Sequence, residues 1–269
     1  MMAYSHCHTL GSWKMSRQPG AQSLKILVNH ERWLRDNGYN AQATSCRAQA
    51  SSLTRKLYPV IGIYRRKKHV KKEARKITGG LSKPSKMPGP AHNLPAQACI
   101  TGAKLVKVPG SVCAGCYALK GRYRFRNVQD ALQRRLQALM DPRWVDAMVT
   151  LITGEKWFRW HDSGDIQSPE HLKNIFEVCK RTPGTRHWMP TREVKFLTLM
   201  DPAVIPSNLI IRISSHMINQ GPVKHWPWTS TVSTKPEDRT CAAPDQGNEC
   251  KDCRACWDRD TANICYGKH

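Results

Sequence analysis

The stretch that decides the fold is EKWFRWHDSGDIQSPEHLKNIFEVCKRT, residues 155–182. Its opening, EKWFRW, is short and aromatic and reads as a strand; HDSGD is a polar turn. Ser168 is an N-cap, with Pro169 and Glu170 in the first turn of the helix that follows. The succession returns downstream: TRHWMPTR (185–192) is a second strand followed by the short helix EVKFLTLM. NLIIRISSHM (208–217) is a third, carrying Ile210, Ile211 and Ile213, and WTSTVST (228–234) a fourth. Strand, polar strand end and helix in repetition predict the α/β class, with parallel βα units whose ligands collect at the carboxyl ends of the strands. The polar residues there are His161, Asp162, Ser163 and Asp165, then Thr191 and Arg192, then Ser214, Ser215 and His216. His161 also suits a satisfied core histidine, and the span Asp162 to Asp165 a simple cap of the next helix.

Outward from this core, GRYRFRNVQDALQRRLQALM (121–140) reads as a helix, with Val128, Leu132, Leu136 and Leu139 at helical spacing. Residues 1–84 form a basic extension, mainly helical or partly disordered. It holds one helix around SLKILVNHERWLRDNGY, with Leu24, Ile26, Leu27 and Leu34 as an apolar stripe, and a second over AQATSCRAQASSLTRKLYPV that stops near Pro59. The run YRRKKHVKKEARK (64–76) and a breaker-rich linker, ITGGLSKPSKMPGP, complete it. Residues 85–240 are the βα core and 241–269 a cysteine-rich segment.

Forty-three Lys and Arg against twenty Asp and Glu give a formal charge of +23, a field that attracts nucleic acid or another polyanion. No apolar stretch is long enough to span a bilayer, and the amino-terminal residues lack the apolar core of a secretory signal, so a soluble, cytoplasmic protein without a membrane partner is expected. No Walker loop, Rossmann glycine fingerprint or Ser-His-Asp order supports an ordinary NTPase, dehydrogenase or hydrolase.

The eleven cysteines are unevenly spread. In a reducing compartment clustered thiols more often bind metal or do redox chemistry than form disulfides. Cys250, Cys253 and Cys256 are spaced C-x2-C-x2-C, with Cys241 as a fourth: a set that closes a [4Fe-4S] cluster and equally suits a tetrahedral zinc. In the central group Cys113 and Cys116, within SVCAGCYALKGRYRF (111–125), are preceded by Cys99. Three thiolates leave one iron of a [4Fe-4S] cube without a protein ligand and able to bind a small molecule; a zinc completed by His92 or His8 is the competing assignment.

CAGCYALKGRYRF, RWHDSGD, RHWMPTR, IIRISSHM and GNECKDCRACW, in that order over residues 85–269, resemble the phage and plasmid family known as gene product eighty-eight. More distantly the order is similar to the radical SAM superfamily, in particular to a phage group related to spore photoproduct lyase. That resemblance implies a partial (β/α) TIM-like barrel with a three-cysteine [4Fe-4S] cluster at one mouth, whose open iron binds S-adenosylmethionine for reductive cleavage to a radical. Carried over, Cys99, Cys113 and Cys116 are the cluster ligands, Tyr117 packs near the adenine, and Asp162, Ser163 and Asp165 are the catalytic strand-end contacts. His161, Thr191, Arg192, Ser214 and Ser215 line the cofactor, and Cys241, Cys250, Cys253 and Cys256 form an auxiliary site. The chain departs from the superfamily's C-x3-C-x2-C spacing, since ITGAKLVKVPGSV separates Cys99 from Cys113, and it has no glycine-glycine-glutamate segment after a strand. The resulting expectation is an iron–sulfur, radical SAM-like enzyme acting on or near nucleic acid. The alternative is a non-enzymatic nucleic-acid-binding protein whose loops are stapled by zinc or a cluster.

Overall fold

A computed structural model describes residues 29, 31–198 and 202–268, with backbone alone for 51 and 53–69. His8 and the expected helical residues Leu24, Ile26 and Leu27 lie outside the described residues. The chain divides into two compact units, 1–70 and 71–269. In the first, Leu34, Ala43 and Cys46 form a small apolar cluster. Helix α1, Asn40–Thr78, begins in this unit and ends in the second. It runs through Pro59 rather than stopping there. A mid-helix proline costs about 3 kcal/mol, and VIGIY directly after it adds poor helix formers, so local propensity does not account for the continuity of the helix here.

The second unit is built on one six-stranded sheet, every neighbouring pair parallel, in the order β1-β2-β3-β4-β5-β6. The strands are β1 (Ala91–His92), β2 (Trp157–Trp160), β3 (Arg186–Thr191), β4 (Leu209–Ser214), β5 (Thr229–Ser233) and β6 (Asn263–Gly267). The two outermost strands were not expected from the sequence: β1 is two residues long, and β6 lies past the cysteines. The helices are α2 (Ile100–Leu105), α3 (Arg126–Ala138), α4 (Trp144–Ile152) and α5 (Pro169–Arg181). Ser168 caps α5 as expected, its hydroxyl accepting the N–H of His171 at 3.0 Å. The helix expected over 193–200 is a single 3-10 turn, Val194–Phe196, and residues 199–201 lie outside the described ones.

The sheet separates two environments. Phe158, Trp160, Met189, Leu209, Ile211 and Ile213 join Trp144, Met148 and Ile152 of α4 and Leu172, Ile175 and Phe176 of α5 in one buried core. On the opposite face, Trp157 and Trp188 pack edge-on against Trp257, whose indole N–H donates to the Phe158 carbonyl at 2.9 Å. Beside them Arg212 of β4 is fully buried. Its guanidinium donates to the carbonyls of Ala255 (2.9 Å), Cys256 (3.1 Å), Asp258 (2.9 Å), Ala262 (3.3 Å) and Thr229 (3.4 Å). Burial disfavours its charge, so each of those carbonyls offsets a desolvation cost. Replacing Arg212 with Met strands several buried carbonyls; we expect a loss of about 3 kcal/mol in denaturant unfolding, together with faster alkylation of Cys256.

The apolar core also holds histidines. His92, His161 and His171 cluster around Trp144 and Trp160, with His161 and His171 ring centroids 5.4 Å apart and His92 5.6 Å from Trp144. Among the described residues, both ring nitrogens of His92 and His161 lack a partner. Burial first, then the charge of His171, holds His92 and His161 well below the usual imidazole range; burial alone brings His171 down to about 4 and His187 to about 3. The unfolded chain therefore binds protons from pH 6.5 downward while the folded imidazoles stay neutral, so stability is intact above 6.5 and is lost as pH falls towards 4. Asp165, raised to about 6, acts in the opposite sense over part of that window. Unfolding at pH 7.5 and pH 5 should show a net loss on acidification. His171→Asn, which keeps an acceptor for the Gln167 N–H, should reduce that loss by about 2 kcal/mol.

Candidate metal centre at the strand ends

Cys99 is the residue from which α2 starts. A helix start leaves backbone N–H groups without intrahelical partners. Here the fully buried Glu193, two residues beyond β3, supplies them: one carboxylate oxygen accepts Ile100 N (3.1 Å) and Thr101 N (2.7 Å), and the other accepts the Thr101 hydroxyl (2.8 Å). Cys113 and Cys116 lie in and after the 3-10 turn Val112–Gly115, capped by Ser111, whose hydroxyl accepts Ala114 N at 3.0 Å. That turn hangs from the end of β4, because Val112 N donates to His216 O and Ile218 N to Gly110 O, both at 2.9 Å. Two strand ends thus fix the two halves of a loop in which thirteen residues separate Cys99 from Cys113.

The halves converge at Gly102. A β-carbon there would lie 3.0 Å from the Cys99 β-carbon, 3.6 Å from the Cys99 sulfur and 3.7 Å from the Cys113 sulfur. The absence of a side chain keeps the space between the two thiols free. Burial first, then the charges of Asp165, Cys116, Cys113 and Glu193, pushes the Cys99 thiol up to about 12. Cys113 is also raised by burial, against the opposing pull of Arg192. Burial thus favours the protonated thiol at both positions.

Behind the thiols, Asp165 is a hub. It accepts the Thr191 hydroxyl (2.6 Å), Ile166 N (2.8 Å) and Arg192 N (2.9 Å), and burial outweighs these bonds to raise its carboxyl to about 6. The Thr191 hydroxyl in turn accepts Glu193 N at 3.0 Å. Asp162 faces elsewhere: it pairs with Arg159 at 2.9 Å and accepts the Tyr123 hydroxyl at 2.6 Å, while its carbonyl accepts the Tyr117 hydroxyl. The Ser163 hydroxyl donates to Leu94 O at 2.8 Å, and Leu94 N returns a bond to Ser163 O, stapling the ends of β1 and β2. That staple needs Gly164, at φ 77°, where a β-carbon would meet Leu94 at 2.5 Å. His161 takes φ 58°, a left-handed conformation that costs a non-glycine residue about 1–2 kcal/mol and turns the chain sharply out of β2. The Ser214 and Ser230 hydroxyls pair at 2.8 Å, and Ser215 donates to Gly221 O at 2.8 Å.

Of the residues singled out from the sequence, Cys99, Cys113, Cys116, Asp165, Thr191 and Arg192 are brought together. Asp162 is engaged by Arg159, Tyr117 and Tyr123, and Ser163, Ser214 and Ser215 spend their hydroxyls on Leu94, Ser230 and Gly221. Sequence reasoning passed over Glu193, Gly102 and Arg159; an acid one step past the strand end TR was the readable signal for the first.

The carboxy-terminal cysteines lie on the chain that Arg212 holds. Cys241 N donates to Cys265 O at 3.1 Å, Cys250 N to Lys86 O at 2.7 Å and Cys253 N to Cys250 O at 2.8 Å; the Cys256 sulfur is 3.4 Å from the Tyr266 hydroxyl. Burial raises the thiols of Cys241, Cys250 and Cys256, the last to about 11, and each also feels at least one other cysteine of the set. Among the described residues, no group of three or more His, Cys, Asp or Glu side chains stands at the spacing of one metal ion. The donor chemistry and the cradle at Gly102 fit a thiolate-held group. Gly102→Val, which fills the cradle, should lower bound metal about ten-fold or more in elemental analysis of purified protein while helical circular dichroism is retained.

No curated protein and no solved structure matches the chain. The family model for gene product 88 matches residues 62–259, from within α1 to the turn after Trp257, and takes in both cysteine sets and five of the six strands. The chain belongs to the gene product 88 family.

Proposed function

We propose that the protein is an iron–sulfur enzyme of radical SAM type, its sheet a partial (β/α) barrel, acting on nucleic acid or on something bound to it. One observation carries this reading: Cys99 and Cys113, from the two halves of a split segment, meet across Gly102 at the carboxyl ends of a parallel sheet whose spatial order follows the chain, with Cys116 close enough to act on the Cys99 thiol. In an open α/β sheet this is where ligands bind.

Cys99, Cys113 and Cys116 hold a [4Fe-4S] cluster in this reading. When bound, such a cluster supplies an electron and one iron with an open coordination position. The chain's own residues do the rest. Gly102 leaves the cluster space clear, and Glu193 fixes the start of α2 and with it the direction of Cys99. Asp165 orients Thr191 and the backbone of Arg192. The Arg192 guanidinium, close enough to Cys113 to lower its thiol and with Nε buried and unpartnered, is the cation for the carboxylate of S-adenosylmethionine. Cys241, Cys250, Cys253 and Cys256 make an auxiliary site.

A second reading, in which metal only staples loops of a nucleic-acid-binding protein, is favoured at that auxiliary site by Arg212, which gives the carboxy-terminal cysteines a purely structural tether.

Anaerobic purification followed by iron, sulfide and zinc analysis separates the two. Iron and acid-labile sulfide in equal amounts, reduced on Cys99→Ser, with 5′-deoxyadenosine formed from S-adenosylmethionine under dithionite, is the expected result. Stoichiometric zinc without sulfide sinks the enzyme reading.

A further inference from the structure

The segment that carries the three cysteines has an unusual charge. From Ala74 to Gln129 there is no Asp or Glu, while ten Lys and Arg occur. Lys104 and Lys107 lie at and beyond the end of α2, and Lys120, Arg122, Arg124 and Arg126 between Cys116 and the first turn of α3. All six are exposed, and among the described residues none makes an ion pair. A solvated helix face is commonly laced with acids; this surface has none.

Apolar groups are interleaved with these cations. Val106, Val108, Tyr117 and Phe125 are all exposed, Phe125 at 59% and Tyr117 at 48%, and these two are the only exposed aromatics among the described residues of 71–269. The Tyr117 ring is not a loose side chain. Its hydroxyl is anchored on the Asp162 carbonyl, and its ring packs edge-on against Tyr123, which is itself fixed on the Asp162 carboxylate. An aromatic face held open to solvent directly after Cys116 loses little entropy on stacking.

We propose that residues 104–126 are a binding surface for single-stranded nucleic acid that leads an unpaired base to the three-thiol site, with the cations on the phosphates and Phe125 and Tyr117 stacking on bases. Charge complementarity selects a polyanion, and exposed aromatics between the cations select one with π faces, which a sulfated polysaccharide or a lipid headgroup lacks. Duplex DNA keeps its bases stacked inside and offers Phe125 no face. The proposal names the substrate class for the site described above and rests on that reading for its purpose, but the binding itself does not require a cluster.

The test is fluorescence anisotropy of the full-length protein with a labelled twelve-nucleotide oligo-dT, its abasic counterpart and a duplex, with heparin and phosphatidylserine vesicles as competitors, across a salt series. Oligo-dT should bind at least about ten-fold tighter than the abasic strand, and Phe125→Ala should remove most of that margin. Replacing Lys120, Arg122, Arg124 and Arg126 together by Ser should flatten the log–log salt dependence by about 3, near 0.7 per lost phosphate contact. Equal affinity for abasic and base-bearing strands, a salt slope unchanged in the four-residue variant, or vesicles displacing the strand more effectively than unlabelled oligo-dT each overturns the proposal. Circular dichroism confirms that the surface variants are folded. Iron content and strand-free 5′-deoxyadenosine formation, measured on the same preparations, report on the enzyme reading independently.

Discussion

Arg212 is the residue on which the arrangement depends. A guanidinium buried in the middle of a parallel sheet is expensive unless most of its N–H groups are satisfied. Here they are satisfied by backbone carbonyls drawn almost entirely from one stretch, Ala255 to Ala262, far along the chain. That requirement brings the cysteine-rich segment onto one face of the sheet, seats Trp257 against Trp157 and Trp188, and delivers Asn263–Gly267 to the edge as β6. The other face is closed in the ordinary way, by the apolar sides of α4 and α5. One face is thus held by dispersion and hydrophobic burial, the other by Arg212 and its carbonyls together with the packing of Trp157, Trp188 and Trp257.

The strand ends follow the same logic with opposite charge. Asp165 and Glu193 are buried carboxylates that bind backbone N–H groups and hydroxyls, and each fixes a piece of chain that has no secondary structure to hold it: the turn after β2 and the start of α2. The cysteine loop takes its shape from these contacts and from the bonds to residues 216–218. A second cation, Arg159, stands beside the carboxy-terminal cysteines. It is paired with Asp162, lies over the Trp188 ring at 4.5 Å, and influences the thiols of both Cys250 and Cys256. The carboxy-terminal thiols therefore share one electrostatic surrounding beside β2.

Much of the core was legible in the sequence. β2, α5, β3, β4 and β5 lie where alternation, the Ser168 cap and the Ile-rich run place them, because strands buried on both faces and capped amphipathic helices announce themselves locally. What failed did so for physical reasons. Pro59 does not end α1, although VIGIY follows it, so the helix there goes against local propensity. β1 is two residues of an otherwise irregular segment, and only its pairing with Arg159 and Trp160 makes it a strand. α4 does carry a helical stripe, Trp144, Ala147, Met148, Leu151 and Ile152, but over only nine residues.

The sequence by itself determined the α/β class, the strands and helix at the heart of the sheet, and the two groupings of cysteine, because these rest on local propensity and spacing. Only the tertiary structure decided that Cys99 joins Cys113 across thirteen residues, that Asp165 faces them while Asp162 turns towards Arg159, and that the terminal cysteines lie on the sheet. Those outcomes depend on which distant carbonyl or N–H satisfies each buried charge, a matching of Glu193 to α2 and of Arg212 to residues 255–262 that no local pattern encodes.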